Sequence, residues 1–376
     1  MQQQQFRSVV WLRAVACLLV VWSHLVASFL AERGIDWLPL RWVRTYISDP
    51  LALGADMSIL GVCIFFVISG FIVTHAALNE SIPAFIIKRV LRIYPPLLLS
   101  LIVIAIVVLI HEMTTGTAFR DIPTPTAENM LHSLWLVSVF WDRNWNLNPV
   151  AWSLVLEVMF YGLVALTLPT LRRRPLAVIA FQCALLGTAV LTFPQRPVAL
   201  AFIALEYTLL VPLFWGQALY LAYAGRISWK WFAAIWVALY ALQAWSLPVI
   251  HPDYLLAQPA GLVSKVGAFA IVAALLVFER QLSLPRVVNW CAEISYSLYL
   301  NHAVLGFALL GLLLPLVGYE LALAATMVVV LGLSWASWKW IERPSQRLAR
   351  RLIRLKLSLP VAAIRMPANR ASAVAD

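Results

Sequence analysis

Arg13 and His24 stand eleven positions apart in the apolar stretch VVWLRAVACLLVVWSHLVASFL near the start of the chain. On a helix rising ~1.5 Å per residue they are separated by about 16 Å along the axis, with the imidazole the deeper of the two. An ionisable side chain at a membrane-helix centre costs roughly 2.5–3.5 kcal/mol, so such a group faces a cavity or a partner. Histidine is the usual choice for taking a proton from a hydroxyl, and a nearby carboxylate fixes its tautomer and steadies the imidazolium. Glu157, in WSLVLEVMFY, supplies that carboxylate at a compatible depth, roughly 18 Å from the same boundary. His24 is therefore the candidate base and Glu157 its expected orienting group. Packing roles for both, an interhelical hydrogen bond or a structural ion pair, are the simpler alternatives.

Toward the chain's basic boundary come Arg13 and the segment FIIKRVLRIYPP, in which Arg89 and Arg92 are one helical turn apart and Lys88 adjoins them. Guanidinium groups at this spacing suit several phosphates through paired hydrogen bonds, whereas loop arginines can also serve only to fix topology. Ser69 and Gly70 lie in GVCIFFVISGFIVTH, where small residues either let helices approach or line a narrow channel. In EISYSLYLNH, Ser295, Tyr299 and His302 follow at spacings of four and three, a polar stripe on one helical face. Tyr296 lies about 100° off that stripe and reads equally well as an interfacial aromatic. Tyr161, one turn beyond Glu157, completes the polar set.

What must position these residues is a membrane protein. The chain is 62% hydrophobic and 12% charged, a balance that leaves no hydrated surface for a soluble domain of 376 residues. Apolar runs recur at 9–31, 57–78, 94–111, 150–169, 176–193, 198–224, 229–247, 260–279, 290–314 and 321–341, about ten spans of an all-α polytopic fold. Lysine and arginine place both termini in the cytoplasm: Arg7, Lys88, Arg89, Arg92, the run Arg172 to Arg174, Arg226, Lys230, Arg280, Arg286 and the C-terminal tail then share the inner side. The +11 net charge is thus a topology signal and a match to anionic membrane lipid, and argues against a nucleic-acid partner. The segment 130–141 is too short to cross and reads as interfacial or re-entrant on the outer side. The first span is longer than a signal-peptide core and reads as an uncleaved anchor. The four cysteines, Cys17, Cys63, Cys183 and Cys291, fall inside spans as small apolar residues, with no CxxC and no metal-ligand pattern. One integral domain over 1–347 is followed by a basic tail, 348–376.

Taken in order, Arg13 with His24, FFVISGF, KRVLRIYPP, WSLVLEVMFY, ISYSLYLNH and IERP (Ile341 to Pro344) resemble the signatures of the membrane-bound acyltransferase family 3, whose members O-acylate exopolysaccharide, lipopolysaccharide, peptidoglycan and some small molecules. The resemblance runs from about residue 6 to 347. It implies a ten-helix protein of the cell (inner) membrane with no bound cofactor. Its donor would be cytoplasmic acyl-coenzyme A, usually acetyl-coenzyme A, and its acceptor a hydroxyl on the extracytoplasmic side, on a cell-surface glycan such as exopolysaccharide or its lipid-linked precursor. It also implies that Arg13, His24, Arg89 and Arg92 are functional and that the Ser-Gly-Phe segment lines the path. Direct transfer and an acylated-histidine intermediate both stay open. Two departures stand out: Asn301 precedes His302 where the family often has an apolar or aromatic residue, and no hydrolase-like soluble domain follows. Two other classes share the polar midplane, a secondary transporter and a polymerase or ligase of lipid-linked sugars. The first lacks its inverted repeat here, and the second its large outer loop, since 111–149 is the longest.

Overall fold

The computed structural model describes residues 6–54, 57–136, 146–191, 209–250 and 259–358. Among them the regular elements are all helical. Helix α1 runs Arg7–Arg33, widening into a π-helical turn over Ser23–Ser28 that carries His24. A short surface helix α2, Leu38–Val43, continues as a second π turn, Arg44–Ser48. Then come α3 (Ser58–Asn79), α4 (Ile82–Thr115), α5 (Ala127–Trp135), α6 (Trp152–Arg173), α7 (Pro175–Leu191), α8 (Val211–Tyr223), α9 (Trp229–Ile250) and α10 (Pro259–Val277). Helix α11, Arg286–Ser337, passes through a π turn at Trp338–Glu342 into α12, Arg343–Ser358.

Among the described residues six helical runs are long and apolar enough to cross a bilayer, in keeping with an all-α polytopic membrane protein. The last of them spans Arg286–Leu355, and Gly318, at φ 76° and ψ 170°, breaks it between the expected spans 290–314 and 321–341. Of the expected span 198–224 only α8 falls within the described residues. The expected short segment 130–141 begins as α5, which ends with Leu136 in the left-handed region; 137–145 lie outside the described residues.

One expectation changes. Lys88, Arg89 and Arg92 do not sit in an inner loop but within α4, which starts twelve residues before the apolar run. Ser81 caps it by accepting from the Ala84 amide, and Pro83 in the first turn lacks only an N–H that has no helical partner there. Arg89 is thereby 9% exposed. Pro95 and Pro96 do not end α4, but they withhold two N–H groups, leaving the carbonyls of Leu91 and Arg92 without their i+4 donors beside the arginines.

The basic residues gather at one end. Backbone amides of Arg7 and Ser8 donate to Glu279, Arg172 donates to the carbonyls of Ala77 and Glu80, Arg226 to that of Arg172, and Lys88 pairs with Glu80 at 2.7 Å. At the opposite end Arg120 clasps Glu32 at 2.5 and 2.7 Å and Trp37 donates to Glu320.

Helices α3 and α8 cross through paired glycines. A Cβ on Gly70 would fall 2.0 Å from the carbonyl oxygen of Leu213, and one on Gly216 would fall 2.0 Å from that of Val67. This contact sets the rotation of α3, so that Gly70 meets α8 while Ser69 faces inward.

Candidate active site

Helices α1, α3, α4, α6 and α11 enclose a cavity with about 820 Å³ of empty space, its mouth included. Eight of the ten candidate residues line it: Arg13, Ser69, Arg89, Arg92, Glu157, Tyr161, Ser295 and Tyr299. Val9 and Val73 mark the side nearest the basic end, Phe65 and Ser153 the far side. Ser69 and Gly70 therefore divide the two roles open from sequence, one lining the cavity and the other allowing close packing.

The cavity is cationic. Arg13 donates to the Ser295 hydroxyl at 3.0 Å, and the side chains acting on it electrostatically include Arg92, Glu342 and Glu157. Arg89 lies against the rings of Phe85 and Tyr161, its guanidinium carbon 5.3 and 5.4 Å from their centroids, and its buried Nε has no hydrogen-bond partner. Glu157 accepts from Tyr161 at 2.7 Å. Among the described residues, none of the three arginines comes within ion-pair distance of a carboxylate. Three fixed positive charges face two carboxylates, Glu157 and Glu342, in surroundings where charge is poorly screened.

His24 and His302 do not line this cavity. They pair with each other beyond Tyr299, with His302 Nε2 3.2 Å from His24 Nδ1 and ring centroids 5.0 Å apart. The geometry fixes their neutral tautomers. His302 Nδ1 lies 2.8 Å from the Tyr299 carbonyl and 3.2 Å from that of Leu298, so it carries the proton and Nε2 accepts. His24 Nδ1, 3.0 Å from the Val20 carbonyl, donates in turn, which leaves the lone pair of His24 on Nε2. The expected pairing of Glu157 with His24 is not what forms. The carboxylate is bound to Tyr161 among the arginines, and the groups that orient His24 include His302 and Val20. Compatible depth along separate helices did not bring them together, because the rotation of α6 turns Glu157 toward α4.

Two site residues are additions to the sequence reading. Tyr296 lines the cavity and donates to the Ile93 carbonyl at 3.0 Å, so it is no interfacial aromatic. Glu342, of the IERP segment, is 2% exposed and accepts from Ser297 at 2.9 Å and Gln346 at 3.1 Å, with Arg13 and Arg92 as its charged neighbours. Its signal was present, an acidic residue in a quoted motif next to a span, but nothing in the sequence ties residue 342 to residue 13. Glu342→Gln should keep the protein in the membrane and alter anion binding in the cavity, read as at least a threefold change in donor KM. An unchanged KM would make Glu342 a packing residue.

The acyltransferase domain family matches residues 6–339. Nodulation protein 10 of Rhizobium leguminosarum bv. viciae is 25% identical over 348 residues, covering 85% of this chain and 91% of that protein. The exopolysaccharide production protein ExoZ of Rhizobium meliloti (strain 1021) is 29% identical over 318 residues, covering 77% and 90%. No solved structure matches the chain. With the family's domain running through every helix that lines the cavity and through the histidine pair, the chain belongs to the acyltransferase 3 family.

Proposed function

We propose that the protein transfers an acyl group, most simply acetyl, from acyl-coenzyme A to a hydroxyl of a cell-surface glycan or its lipid-linked precursor on the extracytoplasmic side of the cell membrane. The observation that carries this reading is the cavity of Arg13, Arg89 and Arg92, which has more positive than negative charge and adjoins the basic end. A polyanionic donor supplies the missing charge, and its phosphates need not cross the bilayer. The basic end is then cytoplasmic, in keeping with the charge rule.

The thioester reaches toward the histidine pair. Nε2 of His24 takes the acceptor's hydroxyl proton as the oxygen attacks the thioester carbonyl. The C–S bond then breaks, and the imidazolium returns the proton to the departing thiolate. His302 and the Val20 carbonyl, both accepting from Nδ1 of His24, leave Nε2 as the basic nitrogen. Glu157 partly neutralises the arginines and holds Tyr161 against Arg89, a role in donor binding and not in orienting the base. The glycan class rests on the similarity to ExoZ, whose name is exopolysaccharide production protein.

The test is transfer of acetyl label from acetyl-coenzyme A to a glycan fraction by purified protein in liposomes. Label in the glycan supports the reading; none with acetyl-, succinyl- or longer donors overturns it. Arg89→Ala with Arg92→Ala should raise the donor KM by tenfold or more and leave the acceptor KM within twofold. Equal effects on both would remove these arginines from donor binding.

A further inference from the structure

Between the arginine cavity and the histidine pair stands a wall built from few parts. Phe65 and Tyr299 meet edge to face, centroids 5.9 Å apart, and both line the cavity. On its other side the Tyr299 ring is 6.0 Å from that of His302. Tyr299 is 7% exposed, and its hydroxyl is bolted: it donates to the Val150 carbonyl at 3.0 Å and lies 2.7 Å from the Ser153 hydroxyl.

The bolt is anchored away from the basic end. The Asn148 side chain, fully buried, accepts from the Val150 amide and donates to Ser100 and to the Leu300 carbonyl, at 3.1 to 3.2 Å. The Leu147 amide donates to Ser133 of α5. Residues 147–150, which lead into α6 from the end opposite Arg173, thus hold a side chain that closes the cavity's inner limit.

We propose that Phe65 and Tyr299 form a closed partition that keeps the donor's thioester apart from the His24–His302 pair, and that displacing the 147–150 segment on acceptor binding opens it. The inference rests on the reading of the cavity as the donor site. Its chemical purpose is discrimination between a hydroxyl acceptor and water. A thioester resting beside an imidazole base would be attacked by water, the C–S bond breaking to give free acid and thiol. A partition that opens only with the acceptor in place prevents that loss. Phe65 and Tyr299 are in this sense specificity-determining residues, and Ser153 and Asn148 positioning residues that act through Tyr299.

Tyr299→Phe keeps the ring and removes both hydroxyl contacts; Phe65→Ala opens the wall directly. The partition is read without donor or acceptor by placing His24→Cys in a full-length chain whose four native cysteines are alanine. An anionic methanethiosulfonate is then applied to the basic end in sealed, oriented vesicles. Labelling should be at least tenfold faster with either wall substitution than with the intact wall. Equal rates in all three chains would overturn the proposal. In the native-cysteine chain, acceptor-free hydrolysis of acetyl-coenzyme A relative to transfer should rise at least fivefold in Tyr299→Phe. An unchanged ratio, with transfer observed in the unmodified protein, also overturns it. Faster labelling in a chain that transfers nothing would uphold the partition and reject the donor reading, so the two failures are distinct.

Discussion

Replacing His24 by alanine should lower turnover by roughly 10²–10⁴-fold, the usual contribution of a positioned general base, while the protein stays inserted at its normal level. His24 is only partly buried; one hydrogen bond is local, to Val20 four residues back, and another crosses to His302 on α11, so its replacement removes a side-chain contact between the two helices while their apolar packing stays. His302→Ala should also lower turnover, by a smaller factor, because His24 then keeps its base and the Val20 carbonyl but loses one of the two acceptors of its Nδ1–H. Measured kcat in liposomes, set beside the amount of inserted protein, checks both. Full activity in His24→Ala would move the base elsewhere. A loss of inserted protein would return the histidine pair to a packing role.

The second large effect is on folding. Gly70→Ala places a methyl group 2.0 Å from the Leu213 carbonyl oxygen, a backbone atom that no rotamer change can move aside. The α3–α8 crossing must open, and the cost exceeds the ~1–3 kcal/mol typical of an overpacked core. Helices α1, α4 and α6 form the cavity against the other faces of α3, so most of the protein should be lost from the membrane fraction. Gly216→Ala should do the same, since its Cβ meets the Val67 carbonyl at the same distance. Gly162→Ala is the control: among the described residues nothing beyond its own stretch of helix lies within 4 Å of the added methyl, and inserted protein should be unchanged. Comparable amounts of all three variants would show that the two helices separate easily.

How much of this was legible in the sequence depends on which physical signal carried it. Hydropathy marked the spans, and an ionisable residue inside one is so costly that Arg13, His24 and Glu157 could be picked out singly, with Glu157 grouped by depth with the histidines and the arginines set below them. Depth is only one coordinate, however. The rotation of each helix comes from packing, here from details such as the Gly70–Gly216 crossing, and rotation is what sent Glu157 to Tyr161 and left His302 facing His24. Local geometry was equally hidden. Both π turns that hold site residues, Ser23–Ser28 around His24 and Trp338–Glu342 around Glu342, change the facing of a side chain without any change in composition. The helical start of α4 is signalled by Ser81 and Pro83, but Lys88, Arg89 and Arg92 lie ahead of the apolar run 94–111, so hydropathy alone leaves them in a loop.

The order in which the chain is made gives the Arg13–Ser295 contact and the placement of Glu342 one more consequence. Arg13 is among the first residues to enter the bilayer, yet its hydrogen-bond partner lies 282 positions later and one of the two carboxylates near it later still. Until the last helices are inserted, the growing bundle holds Arg13, Arg89 and Arg92 against Glu157 alone. A nascent chain stalled before α11 is therefore more positively charged inside than the finished one, and its cavity lacks the wall that carries Ser295, Tyr296 and Tyr299. The cavity is complete only once α11 is in place, so a copy truncated before that helix has no assembled cavity.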